Sequence, residues 1–451
     1  MSKFLSSIVC AVLLAGYGLA APANSTTSSA TSQAPSTTQS STSPSPTVPY
    51  ASDDPNRVLY APDHAPADPE PMRGSLGSTI LGPQNIMLDQ QNPDLLAPPS
   101  TDHGTVMNAK WPFSLSHNRL QTGGWARQQN VDDLPMATAL AGVDMRLEPG
   151  AIRELHWHNT AEWAYIISGH TQVTAINADG QNYLATLAPG DLWYFPPGMP
   201  HSLQATADGN GTEFLLVFDN GKFNEDATFL LTDWLAHIPK EVLAKNFQTD
   251  QAAFDHIPGH ELYIFPSEPP ADDAVAPADP VGEVPNPFTY KFSEVKATPS
   301  SGGSFKVADS TTFKAATTIA VAEVTVNPGA IRELHWHPTQ DEWGYFLEGN
   351  ARVTLYAADG NARTFDYQAG DISYIPASYG HYIENIGNGT LKFLEIFNTD
   401  RFQDISLSQW LALIPPQLVK AHLNLPDSLI DNLNKTKQVV VGPKNQTNST
   451  A

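Results

Sequence analysis

Short runs rich in β-branched and aromatic residues punctuate the chain: TQVTAI (Thr171–Ile176), LWYF (Leu192–Phe195), EFLLVF (Glu213–Phe218), ARVTLY (Ala351–Tyr356) and LKFLEIF (Leu391–Phe397). Turn-forming pairs lie between them, including Asp179-Gly180, Pro189-Gly190, Asp208-Gly209 and Asp359-Gly360. This composition predicts strands, and closely spaced short strands predict a mainly β protein with a barrel or sandwich in each half. Apolar residues recur at helical spacing only at the end of each half, in TDWLAHIPKEVLAKNF (Thr232–Phe247) and SQWLALIPPQLVKAHL (Ser408–Leu423), each interrupted by proline. A short helical cap after each barrel is therefore expected.

The two halves repeat one another. PGAIRELHWH occurs at Pro149–His158 and again at Pro328–His337. In each copy a glutamate (Glu162, Glu342), a glycine (Gly169, Gly349) and, further on, a second glycine and a histidine (Gly190 and His201, Gly370 and His381) follow in register. Self-similarity on this scale predicts a duplicated domain.

The repeated residues carry metal chemistry. Two histidines at i and i+2 leave the same face of a strand and can reach one ion together. Alone, a His-x-His pair is ordinarily just two strand histidines, but four ligand types repeated in register reverse that judgement. His156, His158, Glu162 and His201, and likewise His335, His337, Glu342 and His381, make a mixed nitrogen and oxygen set suited to a divalent first-row metal. An octahedral ion held this way keeps two positions open, whereas tetrahedral zinc would be filled. The donor set does not choose among manganese, iron, nickel and cobalt. Arg153 and Arg332 sit three residues before the first histidine, which places them on the opposite strand face unless the strand bulges, where a surface salt bridge with Glu154 or Glu333 is the plain expectation. Trp157 and Trp336, between paired ligands, should point away from the metal and pack on a neighbouring sheet or subunit.

Composition sets the outer limits. A chain of 451 residues holds two cores. Residues 1–20 read as a secretory signal, with Lys3, an apolar run from Ile8 to Leu14 and a small-residue cleavage site. Cys10, the only cysteine, lies inside it, so no disulfide is expected in the mature chain. Residues 21–52 form a Ser/Thr/Pro-rich linker that cannot bury a core. Sequons at Asn24, Asn210, Asn388, Asn434, Asn445 and Asn448 fit a secreted, extracellular glycoprotein. The formal net charge of −23 disfavours nucleic acid and anionic membranes as partners. The expected divisions are a first barrel with an N-terminal arm at 53–270, a second at 271–425, and a tail at 426–451.

The spacing of both ligand sets is similar to the two cupin motifs, and the chain from about Asp54 to Leu423 resembles the fungal secreted bicupin oxalate decarboxylases. Supporting stretches are Gln91–Thr105, Gly123–Pro135, Gly190–Ala205 and Thr364–Gly387. The resemblance implies two tandem cupin (double-stranded β-helix, or jelly-roll) barrels and two manganese ions per chain. It also implies conversion of oxalate to formate and carbon dioxide with dioxygen as co-catalyst, and assembly into homo-hexamers. Arg153 would polarise substrate in the first site and Arg332 would be its counterpart in the second.

The same resemblance places Glu225, in KFNEDATFLLTDWL, at the family's proton donor on a mobile lid, while Asn224, Asp226 and Ala227 depart from the small hydroxylic residues usual there. Copy two lacks a lid glutamate, and Asp404 aligns with Glu225. Copy two has Glu395 where copy one has Leu216, and a glutamate among strand apolars is either a second-site acid or the partner of Arg332. Catalysis is expected in copy one, with a structural or electron-sharing role for copy two. Two other functions fit the residues: an oxalate oxidase releasing hydrogen peroxide, or a bicupin storage or binding protein, which retention of both ligand sets argues against.

Overall fold

The computed structural model describes Asn56, Leu59, Tyr60 and residues 66–444. The signal, the linker and the sequons at Asn24, Asn445 and Asn448 lie outside these residues. The rest folds as two barrels, each of two antiparallel sheets. In the first, one sheet runs in spatial order Asn182–Leu187, Thr171–Ile176, His201–Ala205, Ile152–Trp157 and Phe229–Leu230, with Ile264–Phe265 also paired to Ile152–Trp157. The facing sheet is built around Leu192–Phe195, Glu162–Ser168, Thr212–Phe218, Ala141–Leu147 and Gly124–Gln129. The second barrel repeats this order with Ala362–Gln368, Asn350–Tyr356, Gly380–Asn385, Ile331–Trp336 and Ile405–Ser406 facing Gly303–Ala308, Ala320–Val326, Leu391–Phe397, Glu342–Glu348 and Asp371–Ile375.

The expected strands are present, three with the expected bounds and two longer by one residue at the start, Thr212–Phe218 and Asn350–Tyr356. The caps are pairs of helices, Leu231–Ala236 with Lys240–Phe247 and Leu407–Ala412 with Pro416–Leu423. Pro239 and Pro415 stand at the N-caps of the second helix in each pair, where a missing N–H costs nothing. Helix is not confined to the caps, however: Ile86–Gln91 and Pro93–Leu96 lie in the N-terminal arm, too short to show a period in sequence.

Runs such as EFLLVF look continuously apolar because their strands are buried on both faces. Trp163, Tyr165, Leu215 and Val217 belong to a core shared with the second barrel, while Ala164, Ile166, Phe214, Leu216 and Phe218 fill the first. The barrels meet closely enough that a Cβ on Gly142 would fall 2.3 Å from Trp343, whose indole N–H donates to Gln129 Oε1 at 2.7 Å.

The barrels also exchange edge strands. Lys110–Pro112, from the arm, pairs with Asp371–Ile375 of the second barrel, and Thr289–Tyr290 pairs with Leu192–Phe195 of the first. These pairings cross the expected division at 270. Thr289–Tyr290 completes the sheet of the first barrel, and Val440–Val441 pairs with Ile331–Trp336 as a strand of the second. Each exchange caps a sheet edge that would otherwise present unpaired backbone.

A buried charge cluster fastens the arm to the second barrel. Arg352 donates to both carboxylate oxygens of Asp366 at 2.8 and 3.0 Å and pairs with Asp94 of the arm at 2.8 Å, while Arg73 pairs with the other oxygen of Asp94. Replacing Arg352 by Ala leaves two buried carboxylates facing each other, so the second barrel should lose about 3–5 kcal/mol. Urea unfolding followed by tryptophan fluorescence checks this, and an unchanged midpoint would contradict it.

Candidate metal centres and their buried arginines

Both ligand sets converge. His156 is the last residue but one of the strand Ile152–Trp157, His158 follows that strand, Glu162 opens a strand of the facing sheet and His201 opens the strand paired to His156. One ligand atom from each of the four lies within 4.8 Å of the others, and the same holds for His335, His337, Glu342 and His381. All eight residues are buried.

The imidazoles are held in one tautomer. His156 Nδ1 donates to the Glu154 carbonyl (2.6 Å), His158 to Thr160 (2.8 Å) and His201 to Met199 (2.8 Å). In the second set, His335 Nδ1 donates to Glu333 (2.6 Å), His337 to Gln403 (2.8 Å) and His381 to Tyr379 (3.0 Å). A carbonyl can only accept, so each Nδ1 carries a proton, and a ring in its neutral form turns an Nε2 lone pair inward. Burial, with the neighbouring arginine, holds His156 and His335 well below the usual imidazole range, which keeps them neutral and fit to ligate. Against burial, the facing histidines hold Glu162 and Glu342 well below the usual carboxylate range. His158 and His201 Nε2 face Glu162 Oε2 at 3.1 and 3.3 Å, and Trp193 Nε1 donates to the other oxygen at 2.7 Å. In the second set His337 and His381 Nε2 lie 3.0 and 3.2 Å from Glu342 Oε2 without hydrogen-bond geometry, and His335 Nε2 is buried beside them without a partner. Inward lone pairs crowded on a carboxylate repel one another unless a cation lies among them, so both sets fit a divalent metal.

A bulge brings the arginines in. His201 pairs with His156 and Leu203 with Arg153, so two steps on one strand oppose three on the other; the second barrel repeats this with His381, His335, Ile383 and Arg332. The extra residue resets the alternation, leaving Leu155 and Leu334 exposed while Arg153 and Arg332 turn inward. The surface salt bridge is thereby corrected. Glu154 instead accepts from Thr232 and from the backbone of Leu262 and Tyr263, and Arg153 Nη2 donates to Glu225 Oε1 at 2.7 Å. Tyr263, which sequence reasoning missed, donates its hydroxyl to the same oxygen at 3.0 Å.

The two arginines differ in what is left over. Arg153 Nε and Nη1 are buried without a partner. Arg332 is bound at Nε by Glu395 (2.9 Å) and at Nη2 by Asp404 (2.8 Å), so only Nη1 lacks a partner. Glu395 is therefore the ion-pair partner of Arg332; burial raises its pKa against the pull of Arg332.

A Cupin family profile matches residues 115–254 and 292–430. Oxalate decarboxylase OxdC of Bacillus subtilis is 54% identical over 379 residues, covering 83% of this chain and 97% of its own. An oxalate decarboxylase of Arthroderma benhamiae is 40% identical over 410 residues, covering 85% and 96%. This chain belongs to the bicupin oxalate decarboxylase family. Its fold follows that of a solved B. subtilis oxalate decarboxylase studied for its Mn(II) centres, with a TM-score of 0.81 over 83% of this chain and 100% of that one.

Within that family fold, Trp157 and Trp336 point away from the ligands as expected but pack on the caps of their own barrels. Trp157 stacks on Phe229 and meets Trp234 edge-on, and Trp336 meets Trp410 edge-on. Asp404 was aligned with Glu225 in sequence, but its bond to Arg332 and that of Lys437 to its carboxylate could be seen only in space. Burial alone would raise Asp404, yet Arg332 and Lys437 outweigh it and hold its carboxyl at about 2, below the ordinary 3.8. A folded-state value below the unfolded one stabilises above pH 3.8 and is lost as pH falls toward 2. An Asp404→Asn variant should therefore be less stable than the parent by about 2 kcal/mol above pH 4, with the gap closing toward pH 2. Denaturant melts across that range check it, and a gap independent of pH would contradict it.

Proposed function

We propose that this chain decarboxylates oxalate, HC2O4− → HCO2− + CO2, with the first site as the main active site and dioxygen needed as co-catalyst. The observation that carries the choice of site is the pair of unpartnered donors on Arg153. Arg153 keeps two donors, Nε and Nη1, each able to give one hydrogen bond to a carboxylate oxygen, and its only carboxylate partner sits on a short turn, whereas Arg332 has given its Nε and Nη2 to Glu395 and Asp404 and keeps one. Manganese bound by His156, His158, Glu162 and His201 would supply Lewis acidity and one-electron redox chemistry, and the Mn(II) centres of the B. subtilis relative support that metal here and at the second set.

The residues of the chain do the rest. Arg153 holds one oxalate carboxylate and draws charge onto it. Glu225 stands between Arg153 and a cavity of about 210 Å³ whose lining includes Glu225, Arg119, Gln128 and Tyr263. Its Oε1 already accepts from both Arg153 and Tyr263, so a proton on this carboxyl sits on Oε2. From there it passes to the carbon that loses carbon dioxide, giving formate, and the buried Glu225 side chain keeps water away from that carbon. The monoanion brings the proton the reaction needs, so the rate should peak at acidic pH.

Secretion, glycosylation and a hexameric assembly complete the reading. It is supported by the sequence of the leader, by the exposure of Asn210, Asn388 and Asn434, and by exposed apolar residues such as Trp234, Trp410 and Leu413 on the caps. Deglycosylation mass shifts and light scattering would reject either part by showing no glycan or a monomer.

The central test is product analysis with labelled oxalate at acidic pH, in air and without oxygen. Formate matching carbon dioxide, lost without oxygen, is expected, and Glu225→Gln should lower formate output by about 100-fold or more. Peroxide without formate would make the protein an oxidase, and full activity in the variant would remove Glu225 from the chemistry.

A further inference from the structure

Glu225 opens a single 3-10 turn, Glu225–Ala227, which is too short to hold itself in place. Its backbone is tied by Gln128 Oε1, which accepts from the Glu225 N–H at 2.9 Å, and by Asn224 Oδ1, which accepts from the Asp226 N–H at 2.9 Å. The charged contacts are on Arg119. Its Nη1 donates to Asp226 Oδ1 at 2.9 Å, its Nη2 donates to Glu261, and its guanidinium carbon lies 3.6 Å from the centre of the Tyr263 ring. Tyr263 in turn binds Glu225 Oε1, so Arg119 touches the outer end of the turn and the residue that fixes its inner end. Arg119 itself stands on a strand, Arg119–Gln121, at the edge of the sheet.

We propose that Arg119 is a positioning residue that clamps the Glu225 turn shut, and that the clamp sets how many turnovers end in formate and how many in hydrogen peroxide. The proposal rests on the decarboxylase reading above. Both outcomes begin with loss of one carbon dioxide. With the turn seated, the remaining carbon receives its proton and leaves as formate. With the turn displaced, that carbon loses its electron to dioxygen and the balance becomes HC2O4− + O2 + H+ → 2 CO2 + H2O2, in which dioxygen takes two electrons and two protons.

Among the described residues the second site has no such clamp. Val439 stands where Tyr263 does, each with a left-handed backbone (φ 59° and 57°) and each offering its carbonyl to the N–H of the glutamate after the buried arginine. Asp404 binds Arg332 directly and Lys437 seals it from outside. The clamp thus accompanies the carboxyl that has to move a proton.

An ion pair with side chains 25% and 69% exposed adds little to global stability and is weakened by salt. A weak bias is enough to change the closed share of a two-state turn. In Arg119→Ala the ratio of peroxide to formate should therefore rise about three- to tenfold, the effect of losing roughly one exposed charge pair. Manganese content and melting temperature should stay at parental values, kcat for formate should fall, and KM should change by less than about twofold. Asp226→Asn should behave alike, and Arg119→Lys should recover part of the ratio, because an ammonium restores the charge but not the planar stacking on Tyr263. High salt should raise the ratio in the parent and leave it unchanged in Arg119→Ala. A parental ratio in Arg119→Ala and Asp226→Asn, or loss of both products in proportion, would overturn the clamp. A parent that makes no formate would overturn the decarboxylase reading as well, whereas a parent that makes formate with an unresponsive ratio overturns the clamp alone.

Discussion

A guanidinium taken out of water beside a metal-type ligand set has to be paired, and most of what distinguishes the two sites follows from how each barrel meets that demand. Arg153 and Arg332 are 1% and 0% exposed. Leaving such a charge unpaired is among the most expensive things a fold can do. The bulge that turns each arginine inward is the same in both barrels, as is the decapeptide that carries it. The pairing differs: one carboxylate from a short exposed turn in the first barrel, two carboxylates fixed by a strand and a lysine in the second.

That difference gives each site its character. A carboxylate on a single turn can leave and return, and when it leaves it carries away one half of an ion pair that an anionic substrate can replace. On the proposed reading, the first site exchanges a protein carboxylate for a substrate carboxylate. Glu395 lies within the strand Leu391–Phe397 and cannot move without breaking the sheet between the barrels. A chain with a net charge of −23 reaches an anionic substrate through local cations, and Arg153 is placed for that purpose inside the first barrel.

The ligands themselves need little from the rest of the chain. Each histidine is oriented by a carbonyl close to it in sequence, except His337, which reaches across to Gln403 in the segment that also carries Asp404. The ligand set of the second site is thereby tied to its cap segment. In the first site His158 is bound locally to Thr160, so the Glu225 turn, which lies between Phe223 beside His158 and Leu230 paired with His156, supplies no Nδ1 acceptor to a ligand.

By itself the sequence determined the duplication, the strands, the proline-broken caps and all eight ligands, because these depend on local composition and on spacing that repeats. The resemblance of its motifs also placed Glu225 and Arg153 in the site, although alternation along a regular strand pointed Arg153 outward. Tertiary structure decided what depends on register and on long-range approach. The one-residue bulge leaves no mark in a decapeptide that reads as unbroken strand, yet it reverses the face of an arginine. The exchanged edge strands, Tyr263 against Glu225, Asp404 against Arg332 and Arg119 against Asp226 join residues from 38 to 107 positions apart, or different barrels altogether. No local pattern specifies such pairs, because the cost of burying each charge is set by the partners that folding brings to it.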